Sequence, residues 1–133
     1  MVREIYVADS DEQAKVEALP EIIRFWQLAK DNVWCPEPVT ADDLPRFTAH
    51  FPYFQGGLTL ERMEEWETSL IGCPETVTGK ARAMIEKARP DSLVGLFSFG
   101  GLSHSQVTRS MKLFATKVIP ALAEGTVASV QTS

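Results

Sequence analysis

Leu93-Val94-Gly95-Leu96-Phe97-Ser98-Phe99-Gly100-Gly101-Leu102-Ser103 is the stretch on which the fold turns. Residues 93–99 form an almost unbroken apolar run, as expected of a strand covered on both faces in a parallel sheet. Gly100-Gly101 ends the run. Ser103 and Gln106 then make a capping box, in which each side chain satisfies an orphan backbone N–H of the other. Val107, Met111, Phe114, Val118 and Leu122 follow at helical spacing as far as Gly125, and Pro120 weakens the last turn.

The same order recurs upstream. Ser69-Leu70-Ile71-Gly72 reads as a brief strand and Cys73-Pro74-Glu75-Thr76 as a helix start, with Pro74 in the first turn where no N–H is missed. Val77, Ala81, Met84, Ile85 and Ala88 keep one apolar stripe. In residues 2–8, Ile5 and Val7 share a face opposite Tyr6, which predicts a strand. Ser10 and Gln13 make a second capping box, Asp11 and Glu12 suit the positive end of the new helix, and Ala14, Ala18, Ile22, Phe25 and Ala29 continue it. Pro20 is expected to interrupt or kink that helix.

Residues 31–68 keep no sustained period and form a Pro/aromatic-rich insertion. Pro36, Pro38, Pro45 and Pro52 punctuate it, and Phe47, Phe51, Tyr53 and Phe54 give it bulk. A helical turn is expected at 41–47, capped by Thr40, and a short acidic helix carrying Met63 and Trp66 at 60–68. Such excursions serve as lids or binding loops, or as surface loops pinned by their own aromatics. The expected architecture is α/β: about three βα units, with parallel strands joined by right-handed crossovers. Residues 1–125 make one domain, and 126–133 a flexible tail.

The chain has 133 residues, 44% of them hydrophobic and 23% charged, with a net charge of −5, which suits one soluble globular domain or a piece of one. No window approaches the roughly 18 unbroken apolar residues of a membrane helix, and Met1-Val2-Arg3-Glu4 lacks the build of a signal peptide. An acidic chain without a dense Lys/Arg run is not expected to bind nucleic acid. Cys35 and Cys73 have no Cys-x-x-Cys spacing, and with His50 and His104 as the histidines no metal-ligand set is recognisable. Both thiols are read as reduced, in a cytoplasmic protein. No Ser/His/Asp order, paired-carboxylate motif or Walker-type loop supports a hydrolase or a nucleoside triphosphatase.

Leu70-Ile71-Gly72-Cys73-Pro74-Glu75-Thr76-Val77 resembles the Gly-(Thr/Ser)-Pro-Glu-x-Val element of the luciferase-like flavin-dependent monooxygenases, the bacterial luciferase superfamily. Phe97-Ser98-Phe99-Gly100-Gly101-Leu102-Ser103-His104 resembles the turn after that family's final barrel strand. Arg109-Ser110-Met111-Lys112-Leu113-Phe114-Ala115, with Val118-Ile119-Pro120-Ala121-Leu122, resembles its last helix. Residues 2–14 resemble, more loosely, the strand and helix two βα units earlier. The likeness is to the C-terminal portion alone.

The resemblance implies part of a (β/α)8 barrel that uses reduced FMN, or in sister groups a deazaflavin, to oxygenate a small organic substrate with O2. A whole barrel takes about 250 residues and eight strands, so about three units stay TIM-barrel-like and do not close. Their edges leave N–H and C=O groups unpaired, and apolar surface left in water costs about 25 cal/mol per Å². A homo-oligomer or a second chain is therefore expected to complete the barrel, or the insertion to fold back as a plug over the open face, and the lone monomer is expected to be inactive. The function read here is a component or fragment of such a monooxygenase, an oxidoreductase. The alternative is a non-catalytic structural or interaction remnant of the family.

Phe99, Gly100 and Gly101 fall at the end of a strand, the face where barrel enzymes carry chemistry. By the resemblance they are candidates to bind the flavin, since glycines let backbone approach a flat ring; the alternative is a tight turn needing positive φ. Ser103 joins them because the free amides of Ser103-His104-Ser105 suit a phosphate, although capping alone also explains it. The start at Pro74-Glu75-Thr76 is similar, but Cys73 replaces the family's Thr or Ser. His104 is a candidate general acid or base, as is His50; solvation is the alternative for each. Trp26, Trp34 and Trp66 are packing residues or flavin-stacking ones.

Overall fold

The computed structural model describes residues 1–29 and 68–130. The insertion up to residue 67, with Trp34, Cys35, His50, Trp66 and both short helices expected there, lies outside the described residues. The elements are β1 (Val2–Val7), α1 (Asp11–Ala29), β2 (Ser69–Gly72), α2 (Pro74–Ala88), β3 (Val94–Leu96), α3 (His104–Leu113), a π-helical turn (Phe114–Val118) and α4 (Ile119–Val130). They form a parallel three-stranded sheet in the order β2-β1-β3, an open α/β arrangement that does not close into a barrel.

Strand β1 is central. Glu4 to Val7 pair with Ser69 to Gly72, and Val2 to Glu4 pair with Val94 to Leu96. Alternation along the strands then divides the core. Tyr6, Ala8 and Ile71 pack with Ala14, Ala18 and Ile22 of α1 on one face. Ile5, Val7 and Leu70 pack with Val77, Ala81 and Met84 of α2 and with Val118 on the other. The β2-to-β3 connection passes beyond β1, so a right-handed crossover must carry α2 on the face opposite α1.

Strand β3 is shorter and more open than the 93–99 run predicts: only Val94–Leu96 pairs, and Val94 is 53% exposed. The aromatics leave the strand for separate cores. Phe97 meets Phe114 edge-on at 5.2 Å, and Phe99 is buried beside Tyr6 and Ala8. Helix α3 fills the place the strand vacates, and the buried Ser110 Oγ accepts the Val7 amide at 2.9 Å.

Helix α1 runs unbroken through Pro20, which lies on its exposed side, where water can reach the carbonyl left without its usual amide. Its capping box forms by half. Ser10 Oγ accepts the Gln13 amide at 3.2 Å, but the Gln13 side chain turns to Glu17 Oε1 at 3.1 Å. The box at Ser103 and Gln106 forms completely. Before Pro120 the helix widens into the π turn, and the Ile119 amide bonds Phe114 O. The wider turn accommodates a ring that would otherwise press on the carbonyl of the preceding turn. Helix α4 continues to Val130, past its expected end at Gly125. No described helix is long and apolar enough to cross a membrane.

Candidate functional site

Open parallel sheets bind ligands outside the carboxyl ends of their strands. There β1 leads into Asp11, β2 into Cys73, and β3 into the Gly100-Gly101 turn. Helix α1 borders all of these positions, and it reaches each with a carboxylate.

Asp11 closes the start of α2. Its Oδ1 accepts the Cys73 amide at 2.7 Å, and its Oδ2 accepts the Thr76 hydroxyl at 2.9 Å. Cys73 itself caps nothing with its side chain, so a residue from another helix supplies the missing oxygen. The Cys73 amide, with help from Thr76, holds the Asp11 carboxyl below the usual carboxylate range. A Cβ on Gly72 would stand 2.7 Å from Asp11 Oδ1, which is why β2 ends in glycine.

Glu17 gathers the second group. Tyr6 donates its hydroxyl to Glu17 Oε2 at 2.5 Å, Gln13 donates to Oε1, and Arg109 of α3 pairs with the same carboxylate. Arg109 also donates to the Tyr6 oxygen at 3.2 Å. Burial, then the hydrogen bond to Glu17, pushes the Tyr6 phenol up to about 12. Burial would raise Glu17 too, but the bonds from Tyr6 and Gln13 and the Arg109 charge prevail and hold it low. Arg109 Nε is buried with no hydrogen-bond partner among the described residues.

Glu21 occupies the third position. Gly100 is left-handed at φ 59°, and the Gly101 amide donates to Glu21 Oε2. A Cβ on Gly100 would overlap the Glu21 carbonyl oxygen and lie 2.8 Å from Glu21 Cβ. The structure thus gathers Phe99, Gly100, Gly101 and Ser103 on one turn, with their contacts already made. Phe99 is 3% exposed in the core, the glycines admit α1, and Ser103 is engaged by Gln106. His104 stands exposed on α3, 3.5 Å from Thr108, beside an open depression of about 450 Å³ also lined by Arg109 and Lys112. Trp26 packs edge-on against Phe25. Among the described residues no group of three or more His, Cys, Asp or Glu could hold a metal.

Glu17, Glu21, Tyr6, Arg109 and Ser110 carry no site pattern of their own in the sequence, and Asp11 suits only the positive end of a helix. One signal was present. Gln13, Glu17 and Glu21 repeat every fourth residue beside the Ala14-Ala18-Ile22 stripe, placing a polar edge along the buried face.

Neither a protein-family model nor a curated protein sequence matches the chain. Solved structures do resemble it. Monooxygenase RslO1 from Streptomyces bottropensis aligns with a TM-score of 0.62 at 17% identity, over 90% of this chain and 30% of that one. The second is the type II Baeyer-Villiger monooxygenase that is the oxygenating constituent of 3,6-diketocamphane monooxygenase from the CAM plasmid of Pseudomonas putida, in complex with FMN. It aligns with a TM-score of 0.59 at 17% identity, over 90% of this chain and 32% of that one. The chain shares the fold of part of each of these two chains. It spans 30–32% of the length of those chains. As the chain folds here, the Phe99-to-Ser103 turn does not fit a flavin: the Gly101 amide is taken, Glu21 stands over the glycines, and Phe99 has no free face.

Proposed function

We propose that this chain is a component of a luciferase-like flavin-dependent monooxygenase, an oxidoreductase that oxygenates a small organic substrate with reduced flavin and O2. The carrying observation is the fold likeness to about a third of two monooxygenases, one of them in complex with FMN. Residues 1–125 form its single α/β domain. The likeness leaves most of such an enzyme to be supplied, so a second chain or further copies of this one complete the barrel. The main flavin contacts lie on that added protein, because the strand-end donors of this chain hold its own carboxylates. Phe99, Gly100, Gly101 and Ser103 would meet the cofactor only once Glu21 releases their turn, and His104 is the residue of this chain to test for proton transfer.

The same self-occupied donors favour a second reading, a non-catalytic structural or interaction module of that fold. Titration with oxidised and reduced FMN, followed by flavin fluorescence with mass measured alongside, separates the two. Saturable micromolar binding in a dimer or larger assembly is the outcome expected of the enzyme component. A folded protein that binds neither form of FMN, alone or assembled, is the outcome expected of the module.

A further inference from the structure

The two edges of the sheet differ. Strand β2 is closed: Ser69 to Gly72 are all buried, and the outward carbonyl of Ile71 accepts the Lys80 ammonium at 3.3 Å. Strand β3 is open. The Val94 amide donates to Met1 O at 2.8 Å, so alternation turns the N–H and C=O of Gly95 away from β1, where no strand of the described residues meets them. Val94 and its register partner Val2 are both more than half exposed. Natural sheets guard a free edge with charge or proline. Residues 92–99 contain neither.

We propose that the open edge of β3 receives the β3 of a second copy of this chain, antiparallel about a two-fold axis at Gly95. Unpaired backbone groups of an extended strand are specific for another strand, and two observations make that strand β3 itself. With β2 closed, each copy offers one open edge among the described residues, so like edge on like edge uses up both and stops at two. The register is also self-complementary. Gly95 exchanges N–H and C=O with its counterpart, while Val94 lies opposite Leu96 and Leu93 opposite Phe97 of the second copy, apolar against apolar with no like charges facing. Pairing here doubles the three-stranded sheet without curling it shut. Copies joined at this edge therefore do not complete a barrel, and whatever protein does must take the edge from them. The pairing itself does not rest on the monooxygenase reading.

The test uses the whole chain, with mass followed by sedimentation over a concentration series and amide exchange read on the same samples. Mass is expected to double with concentration. Exchange of the Gly95 amide is expected to slow about tenfold in step with it, the worth of one new hydrogen bond, while the Val94 amide, already bonded to Met1 O, keeps its rate. Val94→Lys sets two ammonium groups beside the axis and is expected to weaken the dimer about tenfold; residue 94 is exposed, so thermal melts stay in place. Gly95 is left unchanged, because a Cβ there would stand 2.7 Å from the Phe97 ring. Disulfide trapping reads the register, with Cys35→Ser and Cys73→Ser as background. Val94→Cys mixed with Leu96→Cys is expected to cross-link, whereas Val94→Cys alone is not, its two thiols lying diagonally beyond disulfide reach. A chain that stays at 14.8 kDa at every concentration would overturn the dimer. A dimer that leaves Gly95 exchange unchanged would overturn the edge, and cross-linking by Val94→Cys alone as efficient as by the mixture would overturn the register. Each of these outcomes leaves FMN binding untouched, and a chain that binds no FMN leaves the dimer untouched.

Discussion

Tyr6 lies fully buried with its hydroxyl on the Glu17 carboxylate, and so ties β1 to α1 and, through Arg109, to α3. Tyr6→Phe removes one hydrogen bond to a charged acceptor, worth about 1.5 kcal/mol at the lower end of the usual range, since Glu17 and Arg109 keep some solvent; urea unfolding measures it. The pH dependence has a definite sign. A phenol raised to about 12 in the fold contributes fully below its unfolded value of about 10, and that contribution disappears between the two. Asp11 and Glu17, held low, contribute above the unfolded carboxylate range and lose that contribution as acid protonates them in the fold. Glu4, raised chiefly by burial, works the other way and softens the acid limb. Thermal melts across pH are thus expected to fall at both ends; Tyr6→Phe is expected to flatten the alkaline limb and, by taking one of the bonds that hold Glu17 low, to weaken the acid limb as well. At this scale the sequence was legible where partners are neighbours, as at Ser103 and Gln106. Glu21 and Gly101 are separated by 80 positions, and no local spacing announces that bond.

The helices show how one element completes another. The absence of a capping oxygen at Cys73 was legible; its replacement by Asp11 was not, because only the pairing of β1 with β2 brings the two helix starts together. Asp11→Ala is expected to cost about 1 kcal/mol, the ordinary worth of an N-cap. Cys73→Ser should recover much of that loss in the Asp11→Ala background and add little to wild type. A double-mutant cycle by denaturant unfolding checks this, and strict additivity would sink the account. Periodicity located α2 and α3, and residues 93–99 carried the right composition for a strand. Composition could not say that α3 would take the edge of β1 through Ser110 and cut β3 to three residues.

For the whole molecule, alternating elements gave the α/β class and the open sheet. Strand order was not legible: the right-handed rule is met whether the third strand is added beside the second or beyond the first. In the observed order β3 stands at an edge, with Val94 53% exposed beside Val2 at 59%. Exposed apolar edges invite pairing. Light scattering is therefore expected to find assemblies heavier than the 14.8 kDa chain, and Val94→Lys to shift them toward the monomer; a stable wild-type monomer would contradict this.

The central place of β1 bears on how the molecule is made. It precedes both of its partners in the chain, and Val2 must wait for Val94 while Glu4 waits for Ser69. On the ribosome a domain whose outer strands come first can add its centre last; this one must hold an apolar centre open until Val94 to Leu96 have emerged. Sheets joined by such distant contacts close slowly, and a nascent strand left uncovered in that interval is a natural client for chaperones.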